Sequence, residues 1–320
     1  MTNTHTFIQT HSEPTCSVCG SQERIKIAEG QDFEYETCQN IWQMWECQQC
    51  SHIQLDPRPA DSTLSQIYPK TYYSYNFEKN VNRFALACKA YLDKGKFNRI
   101  LSHCRLMPKS YLDIGCGDGR YLAQMIKRGL SPNLVHGLEL DENAVKRAQS
   151  VGLQVQQCRI EDAQHLPDNG LDMATMFHVI EHVANPALVI SQLAKKMTNG
   201  ATLVIETPNA DSFDAKLFKT RYWGGYHFPR HWHIFTPQSL SRILEQNGFR
   251  VKRIEYQPGH AFWLFSIHHW LKYEKNLPQL AKLFNPLRSI PALAAAVAFD
   301  KLRSKLGFKT SAMLFIATKI

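Results

Sequence analysis

The segment Leu112-Asp-Ile-Gly-Cys-Gly-Asp-Gly-Arg120 determines the fold that we expect for this chain. A short apolar run, Tyr111–Ile114, leads into it, and a helical pattern over 121–128 follows it, so the glycines lie between a strand and a helix. Glycines at such a turn let a ligand approach main-chain N–H groups, and the open helix N-terminus suits a carboxylate. The spacing is G-x-G-x-G, which differs from the dinucleotide pattern G-x-G-x-x-G.

Strand and helix patterns alternate on the C-terminal side of this turn. The apolar runs predict strands over 134–140, 153–158, 171–177 and 201–207, with helices over 142–150 and 186–197 between them. Such alternation indicates an α/β fold with a Rossmann-like, doubly wound parallel sheet covered by helices on both faces. Ligands of these sheets bind outside the carboxyl ends of the strands.

Acidic residues stand at three of the predicted strand ends. Asp113 lies just before the glycine turn, where a carboxylate can accept a hydrogen bond from an ammonium group. Glu139 follows about 20 residues after the turn, where an acidic side chain can bind a ribose diol. Asp162, after the third strand, is placed to accept from an adenine amino group. Each acid alone is an ordinary surface charge, but the ordered set indicates one adenosine site.

These motifs resemble those of class I S-adenosylmethionine-dependent methyltransferases. The resemblance rests on LDIGCGDGRYL, GLELDENAV, EDAQHLP, LDMATMFHVIEHVANP and ATLVIETPN within residues 110–210. It implies a seven-stranded sheet whose last two strands, 254–257 and 313–320, end antiparallel. It also implies that S-adenosyl-L-methionine is the cofactor and that Glu139 is a variant of the usual Asp. The implied cofactor site comprises Asp113, Gly115, Gly117, Gly119, Glu139, Asp162, Phe177 and His178.

Two further motifs narrow the resemblance. The run HVIEH at 178–182 resembles ubiquinone-type O-methyltransferases, and WGGYHFPRHWHIFTP at 223–237 resembles a broad bacterial branch of that group. Many members of this branch carry a Cys₄ head, and zinc-headed sugar C-methyltransferases are relatives. The resemblance therefore implies a small metabolite, a sugar or a lipid-linked precursor as the methyl acceptor.

The run at 223–237 is rich in histidine and lies beyond the fifth strand, at the ligand end of the sheet. Histidine titrates near neutral pH and is the usual general base. We take His227, His231, His233 and His178 as candidate catalytic residues and Tyr226, Arg230 and His182 as candidate substrate ligands. The alternative is a structural loop whose imidazoles bond to the backbone. A second metal at these histidines is disfavoured because no helical H-x-x-x-H spacing is present.

Two C-x-x-C pairs, Cys16/Cys19 and Cys47/Cys50, occupy the N-terminal region. Two such turns complete a tetrahedral Cys₄ site of the kind that holds structural Zn²⁺. Nine cysteines, an odd number, argue against a disulfide framework. We therefore expect a zinc-ribbon-like domain over 1–59, a helical linker or lid over 60–108 with a cluster of aromatic residues, and a methyltransferase domain over 109–320.

The basic charge is concentrated at the C-terminus, where residues 250–320 hold 12 basic and 3 acidic side chains. A helical insert over 258–311, before the last strand, combines these charges with aromatic residues. Residues 262–305 suit a helix in a membrane interface, and the alternatives are a cap over the substrate cleft or a dimer surface. No apolar run is long enough to span a bilayer, and the N-terminus lacks a secretory pattern. We expect a cytoplasmic protein, with peripheral contact to the inner membrane face left open.

Two other classes of function, methylation of nucleic-acid bases and binding without catalysis, fit the sequence less well. A nucleic-acid substrate is not expected, because Phe177-His-Val-Ile replaces the N-P-P-Y-type run of enzymes that methylate base amino groups. The rival interpretation is a binding protein, in which the ribbon and the basic region hold a partner and the core binds cofactor without turnover. The sequence leaves the acceptor atom and the oligomeric state open.

Overall fold

The structure is a computed structural model that describes residues 6–69, 72, 83–286 and 289–320, without the side chains of 83–91 and 260. Its strands are β1 (Thr10–His11), β2 (Arg24–Gly30), β3 (Trp42–Cys47), β4 (Ile53–Leu55), β5 (Arg58–Pro59), β6 (Tyr111–Ile114), β7 (Val135–Leu138), β8 (Gln154–Gln156), β9 (Leu171–Phe177), β10 (Met197–Pro208), β11 (His233–Ile234), β12 (Phe249–Gln257) and β13 (Ala312–Lys319). Its α-helices are α1 (Leu64–Ile67), α2 (Arg83–Leu101), α3 (Arg120–Lys127), α4 (Glu142–Ser150), α5 (Pro186–Lys196), α6 (Phe213–Leu217), α7 (Pro237–Gln246), α8 (His260–His269), α9 (Pro278–Ala281) and α10 (Ile290–Lys305). Tyr73, Tyr75 and Phe77 of the predicted aromatic cluster lie outside the described residues.

A seven-stranded sheet with the order β12-β13-β10-β9-β6-β7-β8 forms the centre of the molecule. Strands β8, β7, β6, β9 and β10 pair in parallel, and β13 pairs antiparallel with both β10 and β12. The inner strands are almost entirely apolar because helices cover both faces of the sheet. The predicted α/β fold is thus confirmed, and so is the antiparallel end that the resemblance implied.

The chain turns sharply between β6 and α3, where the fold places its ligand crevice. Gly119 has a φ of +83° and directly precedes the first residue of α3. The next helices begin at side-chain caps, with Asp141 accepting from the N–H of Ala144 and Asn185 accepting from the N–H of Leu188. Because β6, β7 and β9 run parallel, their carboxyl ends lie at one edge of the sheet, together with the first turns of the helices that follow them.

The N-terminal head, which contains strands β1 to β5 and the two C-x-x-C pairs, forms a second sheet with the order β11-β4-β3-β2. Its fourth strand, β11, comes from the histidine-rich run and pairs antiparallel with β4 in the register His233↔Gln54. The apolar side chains of Trp42 and Met44 are fully buried in a cluster that also contains Tyr226 and Ile234. Head and histidine run are therefore packed as one unit, and the proposed domain limits at 59 and 108 stay a prediction.

A helical insert separates β12 from β13, as predicted. Helix α8 lies against the run at 223–237 so closely that a Cβ on Gly224 would be 2.6 Å from the carbonyl oxygen of Phe262. Helix α10 is anchored by the buried Asp300, which accepts from the N–H of Gly259 and from Nε1 of Trp263. Among the described residues, no helix is long and apolar enough to cross a bilayer.

Candidate active site

Asp113, the third residue of β6, is buried at the edge of the glycine turn. Its Oδ1 accepts from the hydroxyl of Thr175 at 2.6 Å, and that hydroxyl accepts from Tyr111 at 2.6 Å. Its Oδ2 is buried and has no hydrogen-bond partner in the described part of the chain. Burial raises the pKa of Asp113 to about 7, although Thr175, Lys96 and Arg120 oppose this shift. A buried acceptor oxygen of this kind suits an ammonium group that arrives with a ligand.

Glu139 follows β7 and is held by main-chain donors. Its Oε2 accepts from the N–H of Gly117 at 2.9 Å, and its Oε1 accepts from the N–H groups of Leu140 and Asp141 at 2.7 and 2.9 Å. A carboxylate offers about four acceptor positions, so Glu139 retains capacity for a ribose hydroxyl. Glu139 therefore binds the main chain of the glycine turn directly. This contact agrees with the order of the two features along the chain.

Gly117 lines open space at the centre of the turn. Its φ is +57°, and a Cβ built on it would have no atom within 4 Å. Gly119 contrasts with it, because a Cβ there would lie 2.4 Å from Cδ1 of Leu153. Gly119 thus serves close packing of the turn, whereas Gly117 leaves a cradle that a side chain would fill. This cradle, the unpartnered Asp113 oxygen and the Glu139 carboxylate fit the methionine and ribose parts of S-adenosylmethionine.

The other implied cofactor residues lie on the neighbouring strand ends. Asp162 is exposed at the end of a 3₁₀ turn that follows β8. Phe177 ends β9, and its ring packs against Tyr121 at a centroid distance of 5.0 Å. The ammonium of Lys96, from α2, lies 3.6 Å from the centroid of the Phe177 ring and pairs with Glu206. Lys96 was not predicted as a site residue, because no local feature of the sequence distinguishes it.

His178 follows β9 and stands between two carboxylates. Its Nδ1 lies 3.1 Å from Oε1 of Glu181, and its Nε2 lies 3.7 Å from Oε1 of Glu206. Loss of water around the ring lowers the pKa of His178, but Glu181 and Glu206 outweigh this and raise it to about 10. The side chain retains 40% of its exposure, so a charged imidazole faces the ligand side of the sheet. Glu206 was not predicted as a site residue either, although its position near the carboxyl end of β10 is typical of one.

The rings of His182, His227 and His231 form one group, in which His227 and His231 are buried and His182 is half-buried. The rings of His182 and His231 are 4.7 Å apart, and those of His227 and His231 are 5.0 Å apart. His182 uses Nδ1 to reach the carbonyl oxygen of Arg230 at 2.9 Å, and His231 uses Nδ1 to reach that of Gly225 at 2.7 Å. Burial lowers the pKa of His182 to about 4 and that of His231 well below its usual value. Both rings are therefore neutral at pH 7.

Three other predicted site residues are enclosed by internal contacts. Arg230 is fully buried in a bidentate ion pair with Asp32, at 3.0 and 2.8 Å, and so does not reach the ligand side as a substrate ligand. Tyr226 is buried and donates its hydroxyl to the carbonyl oxygen of Lys219 at 2.7 Å. His233 stacks on His52 of the head, with ring centroids 5.2 Å apart. The partners of Arg230 and His233 lie far away in the chain, so no local pattern indicates them, whereas Tyr226 bonds to a residue seven positions away.

The four head cysteines come together as their spacing predicted. Their Sγ atoms all lie within 4.8 Å of one another, with Cys16 and Cys50 at 3.6 Å and Cys19 and Cys47 at 3.5 Å. A tetrahedral Zn²⁺ with bonds of about 2.3 Å separates its sulfur ligands by about 3.8 Å. The geometry of the cluster is thus close to that of a Cys₄ zinc site.

Comparison with known proteins agrees with this geometry. Residues 72–254 match the family model described as a methyltransferase domain, which is more than half of the chain. The chain belongs to this family. It is a class I S-adenosylmethionine-dependent methyltransferase.

Individual relatives of this methyltransferase are distant. A ubiquinone biosynthesis O-methyltransferase of Neisseria meningitidis is 26% identical over 169 residues, which are 49% of this chain and 70% of that protein. One of Aeromonas salmonicida is 30% identical over 162 residues, 46% of this chain and 65% of that protein. A solved S-adenosylmethionine-dependent methyltransferase of Archaeoglobus fulgidus is 24% identical, covers 74% of this chain and all of its own, and has a TM-score of 0.48.

Family membership favours an enzyme over the rival binding protein. In this methyltransferase, the cofactor donates its methyl group when bound, and the residues of the chain bind the cofactor, orient the acceptor and stabilise charge. The groups on the ligand side of the sheet are Asp113, Glu139 and the His178–Glu206 pair. His182 and His231, whose rings pack against each other, are not among these groups.

Proposed function

We propose that this methyltransferase transfers a methyl group to a hydroxyl oxygen of a small acceptor, with His178 beside the acceptor oxygen. The observation that carries the proposal is the imidazole of His178, which is 40% exposed, while the residues His227, His231 and His233 are each at most 7% exposed. It stands at the end of β9, next to Phe177 of the implied cofactor floor. The names of the O-methyltransferase relatives support oxygen as the acceptor atom.

The role of His178 follows from its charge. Glu181 and Glu206 hold it as an imidazolium, which donates a hydrogen bond to the acceptor oxygen and stabilises negative charge there. The acceptor O–H bond breaks, and its proton leaves to solvent. S-adenosylmethionine, held by Asp113 and Glu139, would supply the methyl group to this oxygen, and the electron pair of the broken carbon–sulfur bond would stay on sulfur. An ether and a thioether result, and His178 keeps its own proton.

A methyl-transfer assay with labelled S-adenosylmethionine tests this proposal. The acceptor panel contains a catechol with a short prenyl tail, the same catechol without the tail, and a nucleotide sugar. We expect transfer to a hydroxylated ring and a loss of about 10²-fold in kcat in His178→Gln, measured at saturating cofactor. The matched control is His11→Gln, at an exposed position on β1. Transfer to carbon alone, or equal kcat in both variants, contradicts the proposal.

An aromatic residue of the helical insert over 258–311 supports an acceptor with a lipid part. The ring of Phe262, from α8, lies 6.4 Å from the His178 ring, so an apolar wall borders the proposed acceptor position. Sugar acceptors, which the resemblance also allows, have no such apolar part. We therefore expect the prenylated catechol to have the lower KM. A lower KM for the tailless catechol or for the nucleotide sugar contradicts this part of the proposal.

The same insert supports contact with an anionic membrane surface. On α10 and just beyond it, the exposed apolar residues Phe299, Leu302 and Leu306 follow the i, i+3, i+7 spacing of one helix face, while Asp300 is buried on the inner side. Exposed Lys301 and Lys305 lie beside this stripe. An outward apolar stripe flanked by lysines is typical of helices that lie in the interface of anionic bilayers.

Flotation with vesicles of phosphatidylglycerol and phosphatidylcholine tests the membrane contact. Leu302→Glu with Leu306→Glu should reduce the floated fraction at least several-fold. The control Leu134→Glu changes an exposed leucine on another surface and should leave flotation unchanged. Equal flotation of all three proteins, or none by wild type, contradicts the membrane contact and leaves a cap over the cleft or a dimer surface as the role of the insert.

We also propose that the head holds one structural Zn²⁺ on Cys16, Cys19, Cys47 and Cys50. Four thiolates close the coordination sphere, so this metal supports the fold and has no open position for a substrate. Cys38 is buried but stands outside the cluster. It therefore provides an internal control for cysteine substitutions.

A further inference from the structure

The run at 223–237 meets helix α8 of the insert at Gly224, through backbone atoms. A Cβ built on Gly224 would lie 2.6 Å from the carbonyl oxygen of Phe262 and 3.1 Å from its Cα. It would also lie 2.6 Å from Cβ of Phe265. These neighbours belong to the helix backbone or to the first side-chain atom, so no rotation of a side chain moves them away. Only glycine therefore allows the run and α8 to pack at this distance.

A serine hydroxyl completes this contact. Ser266 is fully buried, and its Oγ accepts from the N–H of Gly224 at 2.8 Å and donates to the carbonyl oxygen of Phe262 at 2.7 Å. A hydroxyl has one donor and two acceptor positions, so both bonds form at once. One side chain thus satisfies a buried N–H group of the run and ties it to the turn of α8 that carries Phe262.

The side chain of Phe262 is held between this contact and the start of α8. A Cβ built on Gly259 would be 2.8 Å from Cδ2 of the Phe262 ring, and the N–H of Gly259 donates to the buried Asp300 at 2.9 Å. The centroid of the Phe262 ring lies 6.3 Å from that of Trp223 and 6.4 Å from that of His178. Phe262 is half-buried, so part of its side chain stays accessible to a ligand next to the partly exposed His178.

We infer that Phe262 is the specificity-determining residue for the apolar part of the acceptor, and that Gly224 and Ser266 are the positioning residues that place it. This inference rests on the proposed acceptor position beside His178. An apolar tail that packs on the Phe262 ring leaves water, which favours tailed over tailless acceptors. The histidines of the run at 223–237 are buried, so the run acts on acceptor selection through its backbone at Gly224.

Acceptor binding without turnover tests the inference. The full chain is loaded with S-adenosylhomocysteine, the demethylated cofactor, which has no methyl group to transfer. Calorimetry then gives the Kd of a catechol with a short prenyl tail and the Kd of the same catechol without the tail. The readout is the ratio of the tailless to the tailed Kd, and the melting temperature of each variant is recorded beside it. We expect a wild-type ratio of about ten.

Phe262→Ala removes the ring and should reduce this ratio to about one, because the tail then loses its apolar contact. Phe265→Ala is the matched control. Phe265 lies on the same helix, but its ring packs on His269 at a centroid distance of 5.7 Å. This control should lower the melting temperature and keep the wild-type ratio, which separates selection of the acceptor from a purely structural role.

Gly224→Ala should displace α8 and reduce the ratio several-fold although the Phe262 ring is still present, since a displacement of about 1 Å is enough to spoil a fitted contact. Its control is Gly170→Ala. A Cβ on Gly170 would be 2.5 Å from Cγ of Pro167, so the crowding is similar, but Gly170 lies before β9 at the opposite edge of the sheet. The ratio of this control should equal that of wild type.

Ser266→Ala removes both hydrogen bonds without adding an atom, so it tests the positioning role even if Gly224→Ala does not fold. It should reduce the ratio about threefold or more. A wild-type ratio in folded Phe262→Ala or Ser266→Ala, or a wild-type protein that does not prefer the tailed catechol, overturns the inference. Binding of the tailed catechol with the expected ratios but without methyl transfer to its oxygen contradicts the proposed function alone.

Discussion

The guanidinium of Arg230 forms two hydrogen bonds with the carboxylate of Asp32, and both side chains are fully enclosed. Arg230 also donates from Nε to the carbonyl oxygen of Ile67 at 2.8 Å. A single side chain of the histidine loop therefore contacts both the head and the linker. Asp32 in turn accepts from the N–H groups of Tyr35 and Thr37, so the ion pair is satisfied on both sides.

Breaking this pair should destabilise the whole molecule. Removal of one partner leaves an uncompensated buried charge, which costs about 3–5 kcal/mol. We expect Asp32→Ala to lower the free energy of unfolding by that amount in urea denaturation. The exposed pair of Glu142 and Lys146 is the control, and Glu142→Gln should leave the free energy of unfolding nearly unchanged. Equal losses in the two variants would show that Asp32 and Arg230 do not join head and loop.

Sequence reasoning succeeded where a feature depends on neighbouring residues. The glycine turn, Asp113 at the end of β6 and Glu139 after β7 follow from local apolar periodicity and from the rule that ligands bind at strand ends. The cysteine spacing likewise predicted the thiol cluster. In each case the residues that matter are close in sequence or repeat a known order along the chain.

It failed where a side chain finds its partner at long range. Arg230 lies 198 positions from Asp32 in the chain, and His233 lies 181 positions from His52. Nothing in the run at 223–237 distinguishes an imidazole that faces the acceptor from one that the head covers. The pairing of β11 with β4 decides this, and two strand residues are too few for a periodic signal.

Cofactor binding should strengthen as the pH rises through 7. The pKa of Asp113 is raised to about 7 by burial, and the charged groups that act on it are Lys96, Arg120 and Glu139. An ammonium group requires the ionised carboxylate, so below the pKa binding must release the Asp113 proton. The Kd for S-adenosylmethionine should therefore fall about tenfold between pH 6 and pH 8.

Calorimetry at pH 6, 7 and 8 measures this effect and the accompanying proton release. Asp113→Asn keeps the size of the side chain but has no proton to release, so its Kd should be weaker and nearly independent of pH. A wild-type Kd that is constant over this range would show that Asp113 does not meet the cofactor ammonium.

Gly117→Ala should weaken cofactor binding while leaving the protein folded. The new Cβ would meet no protein atom and would fill the cradle, with a backbone cost of about 1 kcal/mol for a φ of +57°. Gly248→Ala is the matched control, because Gly248 has a φ of +82° and open space around it but lies at the end of α7. We expect similar melting temperatures for the two variants and at least a tenfold weaker Kd only for Gly117→Ala. Unchanged affinity would place the cofactor elsewhere.

Removal of the metal that we propose for the head should destabilise the methyltransferase core as well as the head. Cys16, Cys47 and Cys50 pack in the same apolar cluster as Leu112 and Phe235, so the site and the central sheet share one core. Loss of the metal leaves four thiols at close range with no cation to hold them. We expect Cys47→Ser to lose the zinc and to unfold at a lower temperature by all probes at once.

The control for this prediction is Cys38→Ser, which removes a buried thiol of the head that does not belong to the cluster. It should retain one zinc ion at the Cys₄ site, and any loss of stability should come from packing alone. Of the six tryptophans, Trp42, Trp45, Trp223 and Trp232 lie in the head or in the run at 223–237 that packs on it, so tryptophan fluorescence reports mainly on this region, and far-ultraviolet circular dichroism reports mainly on the helices of the core. If the head of Cys47→Ser melts first and the core melts at the wild-type temperature, the two regions are independent and the shared core does not transmit the loss.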